Sequence, residues 1–317
     1  MEMNTNMEDM IRIRQEDGYL TELHPFYTTA PSVAGSIVVL HGMAEHHERY
    51  HEFAYFLNDH GFDVYLYDHR GHGTDKKLDD LGFFASENGY KKVIADTITI
   101  LNYVKEHNRS EKLALFAHSM GSLIARNVIQ QDDALDCVIL SGSTYIPFIK
   151  SMAGRLITAA VCQFRGKRYR SQSINQLLFG SKKYTSLCKR TTFDWLTRNN
   201  TLVGAYIHDP YCGFLCTSSF YHDLLCLTHY ASKKKQIVRT RKDLPILFIS
   251  GDKDPVSNYG KEITALHQFY QKSGFTNVSY TLYPECRHEL LNELNQDEVF
   301  EDMLAFYQKT LAGVEKH

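Results

Sequence analysis

Ser119 stands in the stretch FAHSMGS, just after an apolar run and two residues before Gly121. A serine hydroxyl is a weak nucleophile at neutral pH. It needs a base to take its proton, a third group to orient that base, and donors for the developing oxyanion. The stretch is close to the Gly-x-Ser-x-Gly turn that lifts a nucleophile out of a strand-to-helix corner, with Ala117 in place of the first glycine. Gly121 answers the need for a small residue where strand and helix nearly touch, and the methyl of Ala117 calls for a slightly wider crossing. The same residues also suit a buried serine that only caps the following helix.

Further along, GDKDPVS brings two carboxylates, Asp252 and Asp254, after another apolar run, and YPECRHELLNE brings His288 after the last one. Ser, then Asp, then His is the chain order of the triad in α/β-hydrolases. Taken singly, each piece has a plainer reading, a turn rich in Asp, Gly and Pro or a surface histidine. LHGMAEHHERY follows an earlier apolar run. Irregular backbone at that point suits N–H donors aimed at a reacting carbonyl, and the amides of Met43 and Met120 are the expected oxyanion hole.

These residues need a scaffold that gathers them at one edge. Short β-branched runs predict strands at SIVVLHG, FDVYLYDH, KLALFAH, DCVILSG, PILFISGD and NVSYTLYPE, and near-continuous apolarity predicts a sheet buried on both faces. Helical spacing in the intervals, from Arg49 to Asp59, Tyr90 to Glu106, Ser122 to Gln131, Tyr259 to Lys272 and Gln296 to Leu311, predicts a doubly wound, mostly parallel α/β sheet. MIRIRQ and LTELHPF suit an antiparallel edge pair. Ligands of such sheets bind at the carboxyl edge of the strands, where all the candidate residues fall.

One interval breaks the rhythm. Residues 143–243 are too many for a crossover and predict a helical cap inserted into a core made of 1–142 and 244–317. Ile149, Met152, Leu156 and Phe164 recur at helical spacing, and this face is expected to line an acyl tunnel above Ser119. The interval also holds His208, Cys212, Cys216, His222, Cys226 and His229, whose spacings suit zinc but arise as readily in ordinary helices; no metal and no cofactor is expected. Its basic runs, RGKRYR and SKKKQIVRTRK, could draw the cap into transient contact with an anionic lipid surface, and a solvated charged face explains them as well.

Together, LHGMAEHHERY, YDHRGHGTD, FAHSMGS, ISGDKDPVS and YPECRHELLNE resemble the monoglyceride lipase and lysophospholipase branch of the α/β-hydrolases, close to the serine aminopeptidases. DWLTRNN and HDPYCGF in the long interval are similar to that branch too, so the resemblance spans Arg12 to Phe306. It implies an α/β-hydrolase fold with Ser119 as nucleophile and His288 as base. The family's Gly-x-x-Asp falls on Gly251 and Asp254, which implies Asp254 as the acid rather than Asp252. The pattern HGxxEHxxRY falls on His41, Gly42, Glu45, His46, Arg49 and Tyr50, and implies His41, Gly42, His46 and Arg49 near the substrate, with His46 or Arg49 meeting a glycerol or phosphate headgroup. Asp68 to Gly73 match a loop-shaping DHRGHG, and Asp75 replaces a serine after it.

Composition narrows the class. The chain has 317 residues, 43% hydrophobic and 23% charged, with a net charge of −2, which argues against a nucleic-acid binder. Seven scattered cysteines without a CxxC pair suit a reduced compartment. The start MEMNTNMEDMIRIRQEDG lacks the order of a signal peptide, and a cytoplasmic location is expected. The expected activity is hydrolysis of carboxylic esters of monoacyl lipids, such as a monoacylglycerol or lysophospholipid, through an acyl-enzyme on Ser119. The alternatives are a small-ester esterase, an aminopeptidase-like hydrolase, or a non-catalytic binder on the same fold. Oligomeric state has no signature in the sequence.

Overall fold

The computed structural model describes residues 10–146 and 148–311. Most of the start read against a signal peptide, residues 1–9, lies outside the described residues. The chain begins with β1 (Ile11–Arg14), β2 (Leu20–Phe26), β3 (Gly35–Leu40), α1 (His51–Asp59), β4 (Phe62–Tyr67), α2 (Gly89–His107), β5 (Leu113–His118), α3 (Met120–Val128) and β6 (Cys137–Ser141). The long interval follows with α4 (Phe148–Arg165), α5 (Gln172–Phe179), α6 (Lys182–Thr185), α7 (Asn200–His208), α8 (Ser218–Ala231) and α9 (Lys234–Ile237). β7 (Ile246–Gly251), α10 (Lys261–Lys272), β8 (Val278–Tyr283) and α11 (Gln296–Leu311) close the chain.

The eight strands form one sheet in the order β1-β2-β4-β3-β5-β6-β7-β8. β1, β2 and β4 pair antiparallel in turn, and every later pairing is parallel. Alternation along each strand feeds two cores. Val38, Leu40, Leu115, Ala117, Val138 and Leu140 face one side, where α2, α3 and α10 cover them. Ile37, Val39, Ala114, Phe116, Cys137 and Ile139 face the other, against α1 and α11. Burial on both faces is why these strands read as unbroken apolar runs.

The interval between β6 and β7 packs in part on the sheet domain. α8 lies against α2 and α3, and its Phe220 and Leu227 are buried in the same core as the sheet. α4 in turn packs on α8. The reason is legible in α3, which buries every residue from Met120 to Val128 and so must be covered on its outer side as well.

Both ends of the interval are tied to one side chain. Arg126 is fully buried; its Nη1 donates to the carbonyl of Thr144 (2.8 Å) and its Nη2 to Ser232 Oγ (2.9 Å) and the carbonyl of Ala231 (3.3 Å). Arg126→Met leaves those acceptors dry and unpaired. It is expected to cost about 2–4 kcal/mol in urea unfolding, with more frequent amide exchange at both ends of the interval than in the sheet.

Candidate active site

β5 ends at His118 and α3 begins at Met120, so Ser119 alone makes the corner. Its φ of 51° and ψ of −115° put a β-carbon residue in the left-handed half of the backbone map. Such strain persists only where surroundings hold it. Ser119 N donates to the carbonyl of Ser141 (2.9 Å), and Ser122 Oγ donates to the carbonyl of Ser119 (2.6 Å). A β-carbon on Gly121 would lie 2.4 Å from the carbonyl oxygen of Leu40, so the crossing of α3 over β3 admits glycine alone. Ala117 is fully buried and its methyl joins the sheet core, so the elbow forms without the first glycine.

The helix-cap reading of Ser119 fails: its side chain makes no cap bond, and its Oγ lies 2.9 Å from His288 Nε2. His288 Nδ1 lies 3.0 Å from Asp254 Oδ2. Asp252 instead accepts the amide of Glu285 (2.7 Å) at the surface. Asp254 is fully buried and also accepts the amide of Val256 (2.8 Å) and the hydroxyl of Ser250 (3.1 Å). Ser250 was missed in sequence, although its place four residues before Asp254 is the signal. The His288 ring stands against His118 and Trp195, with centroids 4.6 and 5.3 Å away.

The two histidines beside Ser119 are shifted in opposite directions. Burial pulls His288 down, but the adjacent Asp254 charge and hydrogen bond outweigh it and leave its pKa above the usual 6.5. His118 is buried without a carboxylate of its own, and both burial and His288 push it well below. One imidazole of the pair is therefore more basic than usual and the other less.

Gly42 lies against the nucleophile: a β-carbon there would stand 3.2 Å from Ser119 Cβ. Met43 and Met120 flank Ser119 in the wall of a chamber of about 630 Å³. The other residues expected at the substrate are elsewhere. His41 is buried beneath the loop, with Nδ1 2.7 Å from the carbonyl of Gly42 and Nε2 accepting the amide of His69 (3.0 Å). His46 is buried and its Nε2 lies 2.8 Å from Asp209 Oδ2.

Arg49 is bound on two sides. It forms a two-pronged pair with Glu289 (2.8 and 2.7 Å) and donates to Glu45 (2.5 Å). Glu45 in turn accepts the amide of Gly42 (2.5 Å) and the hydroxyl of Tyr50 (2.8 Å). Three of its five N–H donors are committed to these carboxylates, which argues against Arg49 as a headgroup ligand. Burial raises the Glu289 carboxyl, yet Arg49 overrides it and brings it down to about 2, while burial raises Glu45. Glu289 was invisible in sequence because its partner lies 240 positions away.

The chamber is lined chiefly by Leu123, Phe179, Tyr184, Trp195, Phe214 and Leu224. The expected lining from α4 is overturned: Ile149, Met152, Leu156 and Phe164 are 75%, 42%, 67% and 84% exposed. Ser151, Gly154 and Thr158 form the inner face instead, because close approach to α8 needs small residues; Gly154 sits over Leu225. The six cysteines and histidines considered for zinc do not converge on one point, although Cys226 Sγ lies 3.6 Å from His222 Nε2. His208 turns to its own helix, His222 meets Thr158 Oγ1 (3.1 Å), and His229 meets Ser151 Oγ (3.0 Å).

A serine so strained, met by a base from beyond the last strand of a mostly parallel sheet, makes this protein an α/β-hydrolase. The chain belongs to the family described as serine aminopeptidase, S33, which matches residues 31–295. It is 27% identical over 279 residues to a probable lysophospholipase L2 of Haemophilus influenzae, covering 81% of this chain and 78% of that one. A monoacylglycerol lipase of Mycolicibacterium smegmatis is 23% identical over 303 residues, covering 90% and 91%. A thermostable carboxyl esterase of Bacillus coagulans, solved with glycerol, shares the fold with a TM-score of 0.87 at 24% identity, covering 96% and 98%.

Arg49→Ala strands two buried carboxylates and is expected to cost about 3–5 kcal/mol of stability. In whatever protein remains folded, kcat/KM should fall by the same factor for neutral and phosphate-bearing monoacyl esters. A loss confined to the phosphate-bearing ester would return Arg49 to the headgroup.

Proposed function

We propose that this chain hydrolyses carboxylic esters of monoacyl lipids through an acyl-enzyme on Ser119. The observation that carries the reading is the unbroken line Ser119–His288–Asp254 opening onto a large, mainly apolar chamber. His288 Nε2 takes the hydroxyl proton as Ser119 Oγ attacks the ester carbonyl. Asp254 holds the imidazole in the tautomer with a proton on Nδ1 and stabilises the imidazolium. The amides of Met43 and Met120 receive the oxyanion, a contribution of about 3–4 kcal/mol per donor. His288 then protonates the departing alcohol, and water repeats the cycle on the acyl-enzyme. The two relatives named as a lysophospholipase and a monoacylglycerol lipase support the ester class.

An aminopeptidase would need a carboxylate free to hold a substrate's amine. The acidic residues lining the chamber are Glu45, Glu289 and Glu262. The first two are taken by Arg49, and Glu262 accepts the hydroxyl of Thr144 and the amide of Tyr145. Two of the three are thus held by Arg49, which favours an ester whose alcohol needs no charge partner.

The segment from 143 to 217 is then the cap proper, with α8 as its footing on the core. α4 turns Ile149, Leu156, Ile157 and Phe164 to the outside, and the exposed Arg165, Lys167 and Arg168 follow at its end. Apolar side chains beside cations suit transient docking on an anionic lipid surface, from which a monoacyl lipid enters. No helix among the described residues is long and apolar enough to cross a membrane.

Ser119→Ala should fold normally and lose nearly all turnover, with only a residue of rate above water. In the intact protein, kcat/KM should fall as pH drops through the His288 pKa, on a limb above 6.5 because that pKa is raised. Asp254→Asn removes the charge that raises it. The limb should move to lower pH, and the rate should fall by about 10⁴. A pH–rate series on both proteins checks the order; an unmoved limb would remove Asp254 from the acid's role.

Chain length reads the chamber. Each buried CH₂ is worth up to about 0.8 kcal/mol, so kcat/KM on monoacylglycerols should climb by up to about fourfold per carbon until the chamber is full. Kinetics from acetyl to oleoyl esters in detergent check this, and a maximum at acetyl or butyryl would make the protein a small-ester hydrolase.

A further inference from the structure

We propose that His46, Asp209 and Cys212 form a binding site for a divalent cation of borderline softness, zinc foremost, at the seam between the core and the inserted segment. A ring nitrogen of His46, a carboxylate oxygen of Asp209 and Cys212 Sγ all lie within 4.8 Å of one another. Of the six cap residues whose spacing suggested zinc, only Cys212 belongs to this cluster. Asp209 comes from the end of α7, three residues before Cys212, and His46 comes from the loop after β3, which no sequence spacing joins to them.

His46 is 3% exposed, and its Nε2 lies 2.8 Å from Asp209 Oδ2. An ion held by both residues would replace the proton between these two atoms. The carboxylate is fixed as well: Asp209 Oδ1 accepts the amide of Tyr211 (2.8 Å), and the amide of Cys212 donates to the carbonyl of Asp209 (3.1 Å). That turn sets the Asp209 and Cys212 side chains on the same side as His46.

The charge balance favours a cation. Arg49 is the nearby guanidinium, and Glu45 and Glu289 occupy its fork, so Asp209 has His46 as its charge partner rather than Arg49. One nitrogen, one oxygen and one sulfur ligand suit zinc, at bond lengths of about 2.0–2.3 Å in a tetrahedron. Asp209 keeps 30% of its side chain exposed, so a water can take the fourth position. On binding, the metal–sulfur bond forms, the Cys212 thiol proton leaves to solvent, and no electron is transferred.

The ion would staple two parts of the chain. Gly213 N and the Tyr206 hydroxyl both donate to the carbonyl of Ala44 (2.9 Å each), beside Met43 in the chamber wall. Metal binding at Cys212 would strengthen this seam and raise thermal stability, whatever the substrate is.

The test uses the full chain and reads binding rather than turnover. Equilibrium dialysis against zinc should leave one ion per chain and raise Tm. Cobalt(II) in its place should show a thiolate-to-metal charge-transfer band. Cys212→Ser should abolish the band and weaken zinc at least tenfold, while Cys226→Ser should change neither. If Cys212→Ser does not fold, the cobalt band and zinc stoichiometry of the unaltered and Cys226→Ser proteins decide. Absence of the band, no retained zinc, or a band lost in Cys226→Ser would overturn the site.

Discussion

The buried Arg49 fork is the tie on which the rest of the site depends. Its carboxylate partners come from two different strand ends. Glu45 holds the amide of Gly42 and so shapes the loop carrying Met43, and Glu289 is covalently next to His288. The position of the base relative to the oxyanion loop is therefore set by one planar group with donors in fixed directions. Lysine could match the charge but not the geometry. Buried ion pairs of this kind add little net stability, because desolvation cancels most of the attraction. What this one adds is register between loops that share no secondary structure. The tie also explains why Glu45 and Glu289 sit in the wall of a chamber that is mainly apolar.

Inside that frame, burial alone would leave every imidazole uncharged. His41, His69, His72 and His118 are all pushed down by loss of water. His288 is as buried as they are, and the carboxylate of Asp254 reverses the direction. A dry pocket with one carboxylate at the right nitrogen thus selects one base among many histidines. The selection needs Asp254 to stay fixed, and the Val256 amide and Ser250 hydroxyl do that. The left-handed Ser119 then brings its oxygen to the other nitrogen of the same ring.

Much of this was readable in sequence because the causes are local. Burial on both faces makes strands into apolar runs, and the elbow needs a small residue two places after the serine. The choice between Asp252 and Asp254 was not local. Both carboxylates follow β7 in a turn-forming stretch, and only the resemblance to known hydrolases favoured the second. Arg49 was misread for a similar reason. An arginine near a nucleophile suggests a ligand for phosphate until the carboxylate that occupies it is known, and Glu289 lies at the far end of the chain. Packing partners across hundreds of residues leave no periodicity to read.

The inverted face of α4 exposes a general limit of helical patterns. A period of 3.6 residues marks which side chains share a face and says nothing about which face is covered. Here the covered face is Ser151, Gly154 and Thr158, and the large apolar residues stand in water. Small residues permit two helix backbones to approach, and His222 and His229 of α8 then reach the hydroxyls opposite them. Such a contact relies on hydrogen bonds and close backbones, with few interdigitated side chains. Replacing Gly154 with a bulky apolar residue would force the helices apart over Leu225. The outer face can then be as apolar as its surroundings demand, since the inner face alone holds the helix to the core.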